Sequence, residues 1–372
     1  MAATRVLSID GGGIRGIIPA KVLVTFEQLL QKHSGRSEAR IADYFDLIAG
    51  TSTGGILTAI YLLPEKNDPT KPKFSAQEAL DFYLENGQTI FKNTFLHSIG
   101  SLFGLTGTKY SDKGLTKLLN DYYGDTKLGQ LIKPCLITAY DVENNSTTFF
   151  NQLDTFERES KEFYVKDVIR ATTAAPSYFS IAEISGLDGS MGYFIDGGVF
   201  ANNPALCAYA EVSKLPDKET KKKELLILSL GTGSKEISYD YKKMNRWGMV
   251  RWIEPIFSIS RTGVSEVVDY QLRIMYREAE KSKDYLRIQM EIDEKQKEAA
   301  KLDNVSPENL KVLEKMGEEL TQKYFAELDE FARRLVQTVN LPSNQEQKLT
   351  KSKERMNRQV SARDLIKKKY IS

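Results

Sequence analysis

The chain has few of the residues on which metal centres, disulfide frameworks and histidine-dependent catalysis are built. Of 372 residues, two are cysteine and two are histidine. Cys135 and Cys207 each sit inside an apolar stretch, not at ligand or disulfide spacing. That excludes a disulfide scaffold and a cysteine-based metal site and reads as two buried free thiols. No run of about 18 apolar residues occurs, so a spanning helix is excluded and any membrane contact is peripheral. Neither sign of charge is in excess, with 52 basic residues against 50 acidic ones, and the electrostatic footprint of a nucleic-acid binder is missing. The start, MAATRVLSIDGGGIRG, lacks a charged region followed by an apolar one. No secretory signal is expected, and a reducing, cytoplasmic setting is the default.

What is present is an alternation of strands and helices. Residues 5–9 read as a buried strand broken by Gly11, Gly12 and Gly13, with a helical pattern from about Pro19. A second unit follows: a strand over 45–49, a sharp turn over 50–55 and a helix from 56. Two strand-to-helix turns within about 60 residues point to a parallel α/β sheet. Residues 64–73 read as a loop, and helices follow at 76–91 and 113–123. Strands are expected at 135–141, 147–151, 193–195 and 224–230, with helices near 165–172 and 205–212. Residues 242–276 are helical and rich in large apolar side chains, 285–290 read as a late strand, and 306–339 as one long helical segment capped by Ser306 and Pro307. The expected organisation is one catalytic domain over 1–341, with a helical elaboration at 242–341. A basic tail over 342–372 completes it, where nine lysines and arginines face three acidic residues.

The strongest local signal is Gly50-Thr51-Ser52-Thr53-Gly54, a G-x-S-x-G match set between an expected strand and an expected helix. A nucleophile elbow needs glycines there because the serine sits on a strained turn where neighbouring side chains would meet the crossing strand and helix. The bland alternative is a glycine-rich turn without chemistry. A serine hydroxyl needs a base during attack. His33 lies at the polar end of the first helix and His97 in an apolar, glycine-broken stretch, and both read as surface or loop residues. No histidine follows residue 97, so a triad in the order Ser, acid, His cannot form. Asp196, at the end of an apolar strand and followed by Gly197 and Gly198, is the remaining candidate base; burial would raise its pKa toward the working range. Taken alone it also reads as a turn aspartate. The third element is Asp10-Gly11-Gly12-Gly13-Ile14-Arg15-Gly16. As a nucleotide cradle it matches only on spacing. Beside a nucleophile its backbone amides would instead hold an oxyanion, at about 3 to 4 kcal/mol per donor, with Arg15 holding the loop or adding positive potential.

These three motifs, DGGGIRG at 10–16, GTSTGG at 50–55 and DGG at 196–198, resemble the patatin-like phospholipase family. The likeness extends to ADYFDLIAGTSTGG, TTAAPSYF, LLILSLGTG and YLRIQ, covers roughly residues 5–290 and is greatest to its plant members. It implies a three-layer α/β/α sandwich with a mostly parallel central sheet and a Ser52–Asp196 dyad. The implied oxyanion hole is at Gly11, Gly12 and Gly13 with Arg15 nearby. Also implied are hydrolysis of acyl esters of phospholipids, galactolipids or lysophospholipids and no metal or organic cofactor. Some bacterial relatives are switched by cyclic nucleotides, which leaves a small-molecule regulator open. A lipid substrate needs an interfacial surface, and residues 246–259, with Trp247, Trp252, Ile256 and Phe257 beside Arg246 and Arg251, are the candidate. A core or lid helix is the alternative for that stretch. The basic tail reads equally as a lipid-attracting or a solvated segment.

Overall fold

The computed structural model describes residues 3–91, 108–214, 224–235, 241–245, 247–293, 296 and 298–339. His97, Arg246 and the basic tail over 342–372 lie outside the described residues. Shorter turns aside, the elements run β1 (Ala3–Ile9), α1 (Ile17–Ser34), β2 (Leu47–Thr51), α2 (Thr53–Leu62), α3 (Ala76–Ile90), α4 (Asp112–Tyr123), β3 (Cys135–Asp141), β4 (Ser146–Asn151), α5 (Val165–Thr172), β5 (Ala182–Ser185), β6 (Met191–Asp196), α6 (Ala205–Ser213), β7 (Glu224–Leu230), β8 (Ser234–Lys235), α7 (Met249–Glu278), β9 (Tyr285–Ile288), β10 (Glu291–Ile292), α8 (Pro307–Lys323) and α9 (Phe325–Thr338).

Eight strands form one sheet in the order β5-β6-β3-β2-β1-β7-β9, with β4 also paired to β3. The pairs around β1, those of β2 with β3 and β7 with β9 are parallel, whereas β3–β4, β3–β6 and β5–β6 are antiparallel. The central strands are buried on both faces, and the period of two sorts their side chains between two cores. Leu7, Ile9, Ile48 and Ile137 point to a large core shared with α1, α2, α3, α4, α5, α8 and α9. Val6, Leu47, Ala49 and Leu136 point the other way, against Ala205 and Ala208 of α6 and Val268, Leu272 and Tyr276 of α7. The result is the expected sandwich of helices, mixed sheet and helices.

Local chemistry places several boundaries. Ser75 caps α3 in a reciprocal box with Glu78, the Glu78 carboxylate accepting from the Ser75 amide at 2.8 Å. Ser306 caps α8, its hydroxyl accepting from the Asn309 amide at 3.2 Å. The helical segment expected over 306–339 is divided at Tyr324 (φ −108°, ψ 19°), where α8 ends and α9 starts. The strand expected over 285–290 stops at Ile288, and β10 then pairs with β8.

Candidate active site

Ser52 lies between β2 and α2 with φ 55° and ψ −119°. A non-glycine residue in that region stores about 1 to 3 kcal/mol and is held there by its surroundings. The Ser52 amide donates to Thr172 Oγ1 at 2.9 Å, and that hydroxyl donates to the Thr138 carbonyl at 2.6 Å. The two flanking glycines are required by close approach. A Cβ on Gly50 would lie 2.2 Å from the Gly54 carbonyl oxygen, and one on Gly54 would lie 2.1 Å from that of Ile9. Tyr83 fixes the first turn of α2, accepting from the Thr53 hydroxyl at 2.6 Å and donating to its carbonyl at 2.8 Å.

Asp196 reaches the same point through strand register. β4 takes one edge of β3, so β2 and β6 share the other, with Thr51 opposite Thr138 and Asp196 opposite the next residue, Ala139. The ends of β2 and β6 therefore meet head to head. Gly197 is forced at the turn that follows, because its Cβ would lie 2.1 Å from Thr138 Oγ1. The Asp196 carboxylate is 6% exposed and accepts from the Gly198 amide at 2.7 Å. Burial pushes its pKa from 3.8 up to about 6, against the opposing pull of the Ser52 hydroxyl, the Gly198 amide and the Arg261 charge.

The glycine loop closes the third side. Asp10 is buried and holds Arg287 of β9 through contacts of 2.8 and 2.6 Å, and the paired carboxylate keeps that guanidinium protonated above its usual range. The Gly11 amide donates to the Asn202 carbonyl at 3.0 Å, and a Cβ on Gly11 would sit 3.3 Å from that of Ser52. The amides of Gly12 and Gly13 have no acceptor among the described residues. Gly13 has φ +57°, and a Cβ there would lie 2.2 Å from the Leu302 carbonyl oxygen. Arg15 is buried, with Nε 3.5 Å from the Gly12 carbonyl, at the limit of hydrogen bonding.

Ser52, Asp196, Gly12, Gly13 and Arg15 all line one cleft of about 650 Å³. Its lining contains no histidine among the described residues. His33 is elsewhere, its Nε2 2.9 Å from Asp329 of α9. No group of three or more His, Cys, Asp or Glu side chains among the described residues could hold a metal. The family model described as Patatin-like phospholipase matches residues 7–209, which contain all three motifs. Patatin-like protein 2 of Oryza sativa subsp. indica is 38% identical over 349 residues, covering 87% of this chain and 85% of the relative. Patatin-like protein 2 of Arabidopsis thaliana is 38% identical over 348 residues, covering 87% and 84%. Patatin-T5 of Solanum tuberosum is 33% identical over 334 residues, covering 86% and 83%. The chain belongs to the patatin-like phospholipase family.

Like other patatin-like proteins it is a lipid acyl hydrolase, a carboxylic ester hydrolase. Several residues of the patatin-like cleft escaped the sequence reading. Arg287 lies in the noted YLRIQ stretch, but its pairing with Asp10 spans 277 positions and leaves no local signal. Asn202 and Arg261 are equally ordinary in sequence, and Thr172, though inside the noted TTAAPSYF stretch, carries no local sign of its bond to the Ser52 amide. The stretch 246–259 holds the start of α7. α7 packs on the sheet through Val268, Leu272 and Tyr276 in its C-terminal half. Nearer its start, Phe257 and Arg261 line the cleft, and Ile256 and Ile259 are exposed. Cys135 is buried, burial pushing its thiol up to about 12, whereas Cys207 is only half-buried.

Proposed function

We propose that this patatin-like hydrolase works through a Ser52–Asp196 dyad on the acyl esters of membrane lipids, whether phospholipid, galactolipid or lysophospholipid. Asp196 takes the proton as Ser52 Oγ attacks the acyl carbonyl. The tetrahedral oxyanion is met by the amides of Gly12 and Gly13 and by the N-terminal end of α2. Asp196 returns the proton to the departing alcohol oxygen, leaving an acyl-serine. It then deprotonates the water that attacks this ester, and the fatty acid departs as Ser52 recovers its proton. The Gly11 amide, engaged with Asn202, serves the hole by shaping the loop, and Arg15 by positive potential.

The observation that carries this reading is the head-to-head meeting of β2 and β6 on β3. A buried carboxylate with a pKa near 6 sits there beside a strained serine whose hydroxyl opposes that rise, in a cleft whose described lining has no histidine. No helix among the described residues is long and apolar enough to cross a membrane, and we take the lipid encounter to be peripheral, at the cleft mouth beside Ile256 and Phe257. The test is acyl release from a p-nitrophenyl ester and from phosphatidylcholine by wild type, Ser52→Ala and Asp196→Asn. Each variant should lose about a thousandfold or more. Equal rates in all three would sink the dyad.

A further inference from the structure

The cleft contains two guanidinium groups with no counter-ion among the described residues. Arg15 is 3% exposed. Arg261, on α7, is part-buried and faces the same cleft. Neither has an ion pair among the described residues. Arg5, Arg170 and Arg287, by contrast, meet Asp46, Asp112 and Asp10 at 2.8, 2.9 and 2.6 Å. The carboxylates around the cleft are also engaged: Asp303 with Lys109 and Tyr110, Asp269 with Arg273 and Tyr285, Glu298 with Lys301. Glu266 is exposed, and Asp196 is the group that must take a proton.

A desolvated guanidinium without a counter-ion is costly, and two in one cleft repel each other. The repulsion is felt: burial, together with the charge of Arg261, pushes Arg15 down to about 9. An oxyanion entering between them would relieve both terms, and a forked guanidinium suits the oxygens of a phosphate. A neutral sugar offers no such relief. In a glycerophospholipid the phosphate oxygen is bonded to the carbon next to the one bearing the 2-ester. Seating that ester at Ser52 therefore brings the phosphate into the same cleft.

We propose that Arg261, together with Arg15, forms a subsite for the phosphate of a phospholipid headgroup, selecting phospholipids over galactolipids and neutral glycerides. This rests on Ser52 being the point of attack. Arg261 is the specificity-determining residue, since Arg15 also shapes the glycine loop.

The full chain carrying Ser52→Ala, titrated calorimetrically with glycerophosphocholine, should bind it, and adding Arg261→Gln should weaken binding by about tenfold or more. In parallel, the ratio of kcat/KM for dihexanoyl-phosphatidylcholine to that for dihexanoylglycerol should drop by about tenfold in Arg261→Gln relative to wild type. Equal losses on both substrates, leaving that ratio unchanged, would overturn the proposal. Inorganic phosphate is the third arm. If it binds as tightly as glycerophosphocholine, Arg261→Gln abolishes both, and the ratio stays constant, the pair is a free-anion site and the headgroup assignment fails. The calorimetry requires no turnover, so a failure of Ser52 as nucleophile would appear separately, as acyl release retained by Ser52→Ala.

Discussion

Asp196 is where the proposed catalysis and stability oppose each other. Its carboxyl is raised from 3.8 to about 6 by burial, so the folded protein binds this proton more tightly than the unfolded chain does. Folding is then penalised at pH values above 6, by an amount on the order of 3 kcal/mol, and the penalty fades as the pH falls from 6 toward 4. Asp196→Asn, which carries no charge, should accordingly melt at a higher temperature than wild type at pH 8, with the gap closing by about pH 4. Thermal denaturation of both proteins across that range checks this, and a gap independent of pH would contradict it. As the proposed general base, the same group must be ionised to accept a proton and would set the activity profile. Wild-type kcat/KM should fall about tenfold per pH unit below about 6, and a profile flat to pH 4.5 would rule Asp196 out as the base.

At the scale of elements, β3 is the organiser. One strand edge receives β2 in parallel and β6 antiparallel, so the nucleophile and the proposed base arrive from sequence positions 144 residues apart without a dedicated loop. The elbow depends on backbone contacts that cannot yield. Gly54→Ala would drive a methyl group into the Ile9 and Asp10 carbonyls. The expected cost is at least about 3 kcal/mol, at the top of the overpacking range, with loss of activity. Gly35, which ends α1 with φ +67° and nothing within 4 Å of a built Cβ, is the control. Gly35→Ala should cost only about 1 kcal/mol from backbone strain. Urea denaturation of the two variants gives the comparison, and equal midpoints would show that the elbow can relax.

For the whole molecule, the region matched by the family model is smaller than the unit that folds. Residues after 214 supply β7, which flanks β1 over all seven of its residues, and β9, which carries the partner of Asp10. They also supply α8 and α9, which cover α1. Lys21 meets Glu314 and Glu318 there, each at 2.9 Å, and the helices cross so closely that a Cβ on Gly317 would lie 2.6 Å from that of Lys21. We therefore take 1–341 as the hydrolase unit. A chain ending at 214 should show no cooperative thermal transition, whereas one ending at 341 should unfold with a single transition. A cooperative transition in the shorter chain would place the boundary earlier.

The sequence by itself determined the layer architecture and singled out the proposed nucleophile and base. Strand and helix periods are local properties, G-x-S-x-G needs its glycines wherever it occurs, and the scarcity of histidine narrowed the candidate base to a carboxylate. It also determined family membership, since the motifs are contiguous. Tertiary structure decided what depends on distant segments meeting. That includes which amides of the glycine loop are free, because Gly11 is taken by Asn202. It includes the counter-ion of Asp10, the break at Tyr324 and the two guanidinia that face one cleft with no ion pair among the described residues. Charge pairing and desolvation are set by where side chains lie after folding, and no local pattern encodes them.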